Sequence, residues 1–196
     1  MKKKAMIFLP ILCIVFAACI NGDNAIQKAE EAISAQKYDQ AKRYAQQARL
    51  STESEKAQIL LRYIQNGDLM LVAAFWENDK EALSYLAGIV HDINIQCPRF
   101  KTPVLVLAAA WGHTDLVKIL LDAGADPNHA ADKDGLTALM WSAKHFDEQL
   151  EMTQALLEAG ANVDEISNYG ETALQIAEIY KNPNIVNLLK QYGAKE

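Results

Sequence analysis

The chain has 196 residues, with 19 Lys plus Arg against 25 Asp plus Glu, and 51% of its residues are hydrophobic against 22% charged. That is the balance of a folded globular protein and not of a disordered one. A mean hydropathy near zero excludes a polytopic membrane protein, and three cysteines are too few for a disulfide-stapled mini-fold or a four-cysteine zinc site.

At the start of the chain, Lys2, Lys3 and Lys4 precede an apolar run from Ala5 to Ala18 that stops before Asn21-Gly22-Asp23-Asn24. A charged start, a short apolar stretch and small residues at its end form the layout of a signal peptide, whereas a permanent membrane helix needs about 20 apolar residues. Residues 1–18 are therefore expected to be removed. Phe16-Ala17-Ala18-Cys19 resembles the bacterial lipobox, with Phe16 where Leu is usual. The resemblance implies that Cys19 is acylated and becomes the new N-terminus; the alternative is ordinary cleavage with Cys19 as a bystander. It also implies a lipoprotein of the bacterial cell envelope, at the outer membrane and facing the periplasm. Its acyl chains would hold it to the membrane at about 0.8 kcal/mol per buried methylene, with residues 19–24 as a short linker. Removing residues 1–18 takes away three lysines and no acid, so the formal charge moves from −6 to −9. An acidic chain without a Lys/Arg stripe is not a nucleic-acid binder. Cys97 is left as the one unmodified cysteine and is expected to be a buried small hydrophobe.

From Ala25 to Gln65 no Gly or Pro interrupts the chain, and Ala29, Ala32, Ala41, Ala45 and Ala48 recur at helical spacings around Tyr38-Asp39. The pattern predicts helical hairpins over 25–65, broken at Ser51-Thr52-Glu53-Ser54 before a further helix from Glu55 to Gln65. The segment from Ala32 to Ala41 looks like a single tetratricopeptide-type hairpin. Its expected task is to cover the apolar end of the domain that follows.

Residues 66–196 repeat. Gly124-Ala125-Asp126-Pro127-Asn128 returns as Gly160-Ala161-Asn162-Val163-Asp164 and, truncated, as Gly193-Ala194. Ahead of each copy stand a small-residue helix start and an aliphatic run: Leu105 to Ala109 with Leu116 to Leu121, then Thr137 to Ala143 with Ala155-Leu156-Leu157, then Thr172 to Ala177 with Ile185 to Leu189. A degenerate copy precedes them, with Leu71-Val72-Ala73-Ala74, Ala82 to Leu86 and Asp92-Ile93-Asn94. This resembles the ankyrin repeat, whose period is about 33 residues and whose hallmark is a Thr-Pro-Leu-His-x-Ala helix start. The resemblance implies an all-α solenoid of about four repeats, each a turn and two antiparallel helices. The residue types fit that reading on their own: Thr137 and Thr172 can cap a helix start, and Gly124, Gly160 and Gly193 follow amphipathic helices where a left-handed cap favours glycine. Departures are local. Pro103 stands where Thr is usual, about two extra residues lie within Lys144 to Glu151, and Lys181-Asn182 replaces the Gly-His of Gly112-His113.

No His-Glu-x-x-His, Gly-x-Ser-x-Gly, Walker loop or dinucleotide fingerprint is present, so neither an enzyme nor a cofactor or metal site is expected. His113 is read as ordering the turn between its helices, and His129 as a solvated loop residue. The two positions after each Ala-Ala pair line the concave face in proteins of the ankyrin type. Here they end in Trp76, Trp111, His145 and Tyr180. Aromatic rings cover area at low entropic cost and dominate binding hot spots, so these four are candidate partner contacts; the alternative is that they pack between neighbouring first helices. Trp141 occupies the slot of Leu107 and Ile176 and is expected in the core. At the turn tips, Phe100 beside Arg99, Lys133 with Asp134, and Tyr169 after Asn168 are further candidates. The expected function is a monomeric, lipid-anchored module that binds another protein. Two alternatives stand beside it: an immunity or inhibitor protein that neutralises a toxin or enzyme in the periplasm, and an accessory protein of an envelope enzyme.

Overall fold

The computed structural model describes residues 25–48, 54–131, 133–145 and 149–195. The segment expected to be a signal peptide, Cys19 with the expected linker, and the break at Ser51-Thr52-Glu53 lie outside the described residues. The described residues group into two compact units, one running to Met70 and taking in Ile89–His91, the other made of Leu71–Gly88 and the chain from Asp92 onward.

In the first unit, helix α1 (residues 25–34) is followed by α2 (Tyr38–Gln47) and α3 (Ser54–Tyr63), and a 3-10 helix (Ile64–Leu69) packs on both α2 and α3. The turn between α1 and α2 passes through Gln36 at φ +56°, and the N–H of Lys37 donates to the Ala32 carbonyl at 2.7 Å. Ala29, Ala41, Ala45 and Ala57 are fully buried, which lets backbones approach closely, while Ile26, Ile33, Leu60 and Tyr63 fill the remaining space. The helix expected from Glu55 to Gln65 gives way at Ile64 to the tighter 3-10 form. The chain is about to enter Asn66-Gly67, where glycine weakens an α-helix.

The second unit is built from four helix pairs: α4 (Met70–Trp76) with α5 (Lys80–Ala87), α6 (Val104–Ala110) with α7 (Thr114–Asp122), α8 (Ala138–Lys144) with α9 (Leu150–Glu158), and α10 (Ala173–Ile179) with α11 (Pro183–Gln191). First helices pack side by side as α6, α8 and α10, and second helices as α5, α7, α9 and α11. None of these short helices could bury its apolar face alone, so the stack is the unit of stability. Val104, Val106, Ala108, Ala109, Leu116 and Leu120 are buried, as are Ala138, Met140, Ser142, Ala143, Met152 and Leu156 in the next pair and Ala173, Ala177, Ile185 and Leu189 in the last.

The repeated dipeptides have direct structural causes. Helices α7, α9 and α11 are each followed by glycine in the left-handed region, at φ +88°, +90° and +92° for Gly124, Gly160 and Gly193, whereas Gly88 after α5 stays right-handed at φ −78°. The alanine that follows turns its N–H back to the helix: Ala125 donates to Leu120 and Ala161 to Leu156, both at 3.0 Å, and their methyls are buried. At the helix starts, the Thr137 hydroxyl accepts the Met140 N–H. Thr172 and Gln175 form a reciprocal capping box, whereas Pro103 begins α6 at φ −56° with no side-chain cap. The Asp-x-Asn loops tie one repeat to the next: Asn94 Oδ1 accepts the Asp126 N–H at 2.8 Å, and Asn128 Oδ1 accepts that of Asn162 at 2.7 Å.

One element has no counterpart in the repeat pattern of the sequence. Strands β1 (Gln96–Cys97) and β2 (Thr102–Pro103) pair antiparallel with Gln96 opposite Pro103 and Cys97 opposite Thr102, forming a hairpin between the first and second helix pairs. Cys97 is buried within it.

Candidate binding surface

Helices α4, α6 and α10 are each followed by a left-handed residue that turns the chain toward the second helix, whereas α8 ends at His145 in an extended conformation. The left-handed residue is Asn78 (φ +51°), Gly112 (φ +73°) or Lys181 (φ +59°). The turn leaves the side chain two or one positions earlier standing at the helix end, and this is how Trp76, Trp111 and Tyr180 come to share one side of the unit. Trp76 is 40% and Trp111 53% exposed, while Tyr180 is half-buried.

The two tryptophans meet edge to face with ring centres 4.9 Å apart. Phe75, buried beneath them, touches both, at 5.4 Å and 6.2 Å, and His113 closes the cluster against Phe75 and Trp111 at 6.3 Å from each. Phe100 joins from the hairpin, 5.9 Å from Trp76 and 42% exposed. Its position is fixed by the hairpin turn. The Cys97 carbonyl accepts the N–H of Phe100 at 3.1 Å and of Lys101 at 2.8 Å, with Lys101 at φ +50°, and the Thr102 hydroxyl donates to the Phe100 carbonyl. Three residues far apart in the sequence thus make one exposed aromatic patch. The sequence pattern placed Trp76 and Trp111 on the same side but had no signal that would bring Phe100 to them, because the hairpin lies outside the helical period.

A second site lies further along the stack. Trp141, Lys144, His145 and Tyr180 line an open cleft of ≈250 Å³. The Lys144 ammonium lies 4.7 Å from the centre of the Trp141 ring and 6.0 Å from that of Tyr180. Trp141 therefore differs from the core residue expected of the Leu107 and Ile176 slot. Those two aliphatics are buried, but the indole is too large for the space between helices and is half-buried, with its face covered by the lysine. His145 does structural work here: its Nε2 lies 2.8 Å from the Ala109 carbonyl at the end of the preceding first helix. Asn182, 3% exposed, does the same for the next pair by donating from Nδ2 to the carbonyls of Ala143 and His145 at 2.8 and 2.9 Å.

At the finger tips, Lys133 is exposed and lines a cleft of ≈400 Å³ with Arg99, Phe100 and Lys101. Arg99 lies 5.5 Å from the centre of the Phe100 ring. Asp134 is less available than its tip position suggested: Oδ1 accepts the Leu136 N–H at 3.2 Å and its carbonyl accepts the Asn168 N–H at 2.9 Å. Tyr169 is 69% exposed at the following finger, where its own N–H donates to the Ser167 hydroxyl. His129 is half-buried in place of fully solvated, its Nε2 lying 3.5 Å from Gln96 Nε2.

On the second-helix side the charges are neutralised across neighbours. Lys80 pairs with Asp115 and Lys118 with Glu151, and the hydrogen bond and charge of Lys80 hold the Asp115 carboxyl below its ordinary value. The hydrogen bond to Glu151 raises the Lys118 ammonium above its own. Among the described residues no group of three or more His, Cys, Asp or Glu gathers to hold a metal, and no helix is long and apolar enough to cross a membrane.

Comparison with known proteins places this architecture. A family model for ankyrin repeats, three copies in length, matches residues 69–167 and again 105–196. Among curated proteins, the chain is 37% identical over 147 residues to the armadillo Dasypus novemcinctus protein named ankyrin repeat, SAM and basic leucine zipper domain-containing protein 1, covering 74% of this chain and 28% of that protein. It is 33% identical over 124 residues to the potassium channel AKT2/3 of Arabidopsis thaliana, covering 48% and 15%, and 34% identical over 84 residues to protein HOS4 of Saccharomyces cerevisiae, covering 41% and 8%. The chain spans less than a third of the length of these relatives, so the similarity concerns the repeats. Ankyrin repeats are in general modules of protein–protein interaction and not of catalysis. With the repeat spacing, the helix pairs and the matching family model in agreement over residues 69–196, the chain belongs to the ankyrin-repeat family.

Proposed function

We propose that this is an exported, lipid-anchored ankyrin-repeat protein that acts as a monomer in the bacterial cell envelope and grips another protein on the side where its first helices end. The observation that carries the binding reading is the patch of Trp76, Phe100 and Trp111. It joins three large rings from two helix ends and a hairpin tip, each at least 40% exposed. Such rings at the centre of an interface are where binding energy concentrates. The reading of export and anchoring rests on Lys2 to Lys4, the apolar run to Ala18 and the lipobox-like Phe16-Ala17-Ala18-Cys19. Anchoring at the outer membrane would keep the binding surface beside envelope proteins.

Two experiments test this. In cells fed a clickable fatty acid, the wild-type chain is expected to be labelled and to sediment with membranes, while Cys19→Ser is neither labelled nor sedimented. An unlabelled wild-type chain refutes lipidation. In envelope extracts, a protein captured by the wild type is expected to be lost from the Trp76→Ala/Trp111→Ala double variant. A partner retained by that variant places the interface elsewhere. The partner's identity separates the roles: a toxin marks an immunity protein, an envelope enzyme an accessory one.

A further inference from the structure

The cations of the second unit fall into two groups among the described residues. Lys80, Lys118, Lys190 and Lys195 each pair with a carboxylate, at Asp115, Glu151, Glu178 and Asp164. Arg99, Lys101, Lys133 and Lys144 pair with none of the described carboxylates. Arg99 and Lys144 instead rest on rings of Phe100, Trp141 and Tyr180. Of the two acids that flank Lys133, Asp134 has its carboxylate engaged by the Leu136 N–H, and Asp132 lies outside the described residues. Among the described residues, a chain with a formal charge of −6 thus sets Arg99 and Lys101, neither with a carboxylate partner, beside Phe100 of its exposed aromatic patch.

We infer that the partner segment bound on this surface is acidic, with aspartate or glutamate side chains flanking one large apolar residue. This deepens the protein-binding reading above and rests on it. The apolar residue would cover Trp76 and Trp111, and the carboxylates would enter the ≈400 Å³ cleft between Arg99, Lys101 and Lys133 and meet the Lys144 ammonium in the ≈250 Å³ cleft. Arg99 and Lys144 are held in place on rings, so pairing them with a carboxylate costs less side-chain entropy than at a free surface. A carboxylate at Lys144, which is half-buried beside aromatic rings, is also screened less by salt than one in open water. The cations face clefts between neighbouring fingers and helix ends, which admit a protruding side chain but not the flat headgroup layer of a bilayer. The geometry thus favours a peptide over an anionic membrane as the source of the negative charge.

The experiment is selection from a random twelve-residue peptide display library on the soluble chain from Asn21 to Glu196, with Trp111→Ala as counter-selection. Trp111-dependent peptides are expected to be enriched in Asp plus Glu over Lys plus Arg by about threefold or more, and their binding to weaken as salt is raised. The Lys101→Glu/Lys133→Glu variant, both positions being exposed, is expected to lose the acidic preference while keeping the Trp111 dependence. Neutral or basic Trp111-dependent peptides overturn the acidic assignment and leave the protein-binding reading standing. Absence of any Trp111-dependent peptide, with Lys101-dependent sedimentation on phosphatidylglycerol vesicles, overturns both and assigns the surface to a membrane.

Discussion

At the residue scale, the glycines divide by what surrounds them. Gly135 and Gly160 both sit at positive φ, +68° and +90°, but a β-carbon on Gly135 would lie 2.9 Å from the Asn168 carboxamide oxygen and 3.0 Å from the Asn168 backbone nitrogen. On Gly160 it would meet nothing within 4 Å. Gly135→Ala therefore adds displacement of the next finger to the left-handed penalty and is expected to cost about 2 kcal/mol or more, against about 1 kcal/mol for Gly160→Ala. Urea melts of the two variants measure the difference, and equal losses would show that the fingers part without cost. Lys181 presents the reverse case, a lysine at φ +59° in the position that Gly112 fills in an earlier repeat. Lys181→Gly is expected to stabilise the fold by about 0.5–1 kcal/mol, read from the same melts.

At the element scale, helix pairs are joined by polar side chains that reach across to the end of the preceding first helix. Asn182 is the clearest, buried and donating to two carbonyls at once. Asn182→Ala leaves both without that donor and is expected to cost about 1–3 kcal/mol in urea denaturation. Asn182→Asp, which has no N–H to give, should be at least as damaging. The elements themselves were legible in the sequence wherever a backbone requirement selects a residue type. Gly-Ala marks a left-handed cap followed by a buried methyl, and Thr137 and Thr172 mark helix starts. What the sequence did not disclose are features set by tertiary space. The β1–β2 hairpin arises where the chain between two repeats folds on itself, and it has no period to betray it. The outward displacement of Trp141 depends on the room between α8 and its neighbours, which the pattern of apolar positions does not encode. His145 was legible as a member of the aromatic row, yet its bond to the Ala109 carbonyl appears only once two repeats stand side by side.

At the scale of the whole second unit, the same row of helix ends must serve both stacking and binding, and exposure indicates how the two are divided. Trp111 is 53% exposed and Trp76 40%, whereas Leu107, one turn earlier on α6, is 6% exposed and faces the neighbouring helices. Trp111→Ala removes an exposed ring and its contacts with Trp76, Phe75 and His113, a loss of about 1 kcal/mol. Leu107→Ala leaves a cavity among buried aliphatics and is expected to cost about 3 kcal/mol. Trp141→Ala should fall between them, because the indole is half-buried and its outer face is held by the Lys144 ammonium. Binding should rank the residues in the opposite order. For a partner seated on the patch, Trp111→Ala and Trp76→Ala weaken association by about 2 kcal/mol each, and the pair together by less than the sum, since removing one ring already unseats the other. Urea melts of the four single variants, with titration calorimetry against the captured partner, measure both orders. A Trp111→Ala melt that falls as far as that of Leu107→Ala would make the ring part of the stack, and the finger tips at Phe100 and Tyr169 would then have to carry the interface alone.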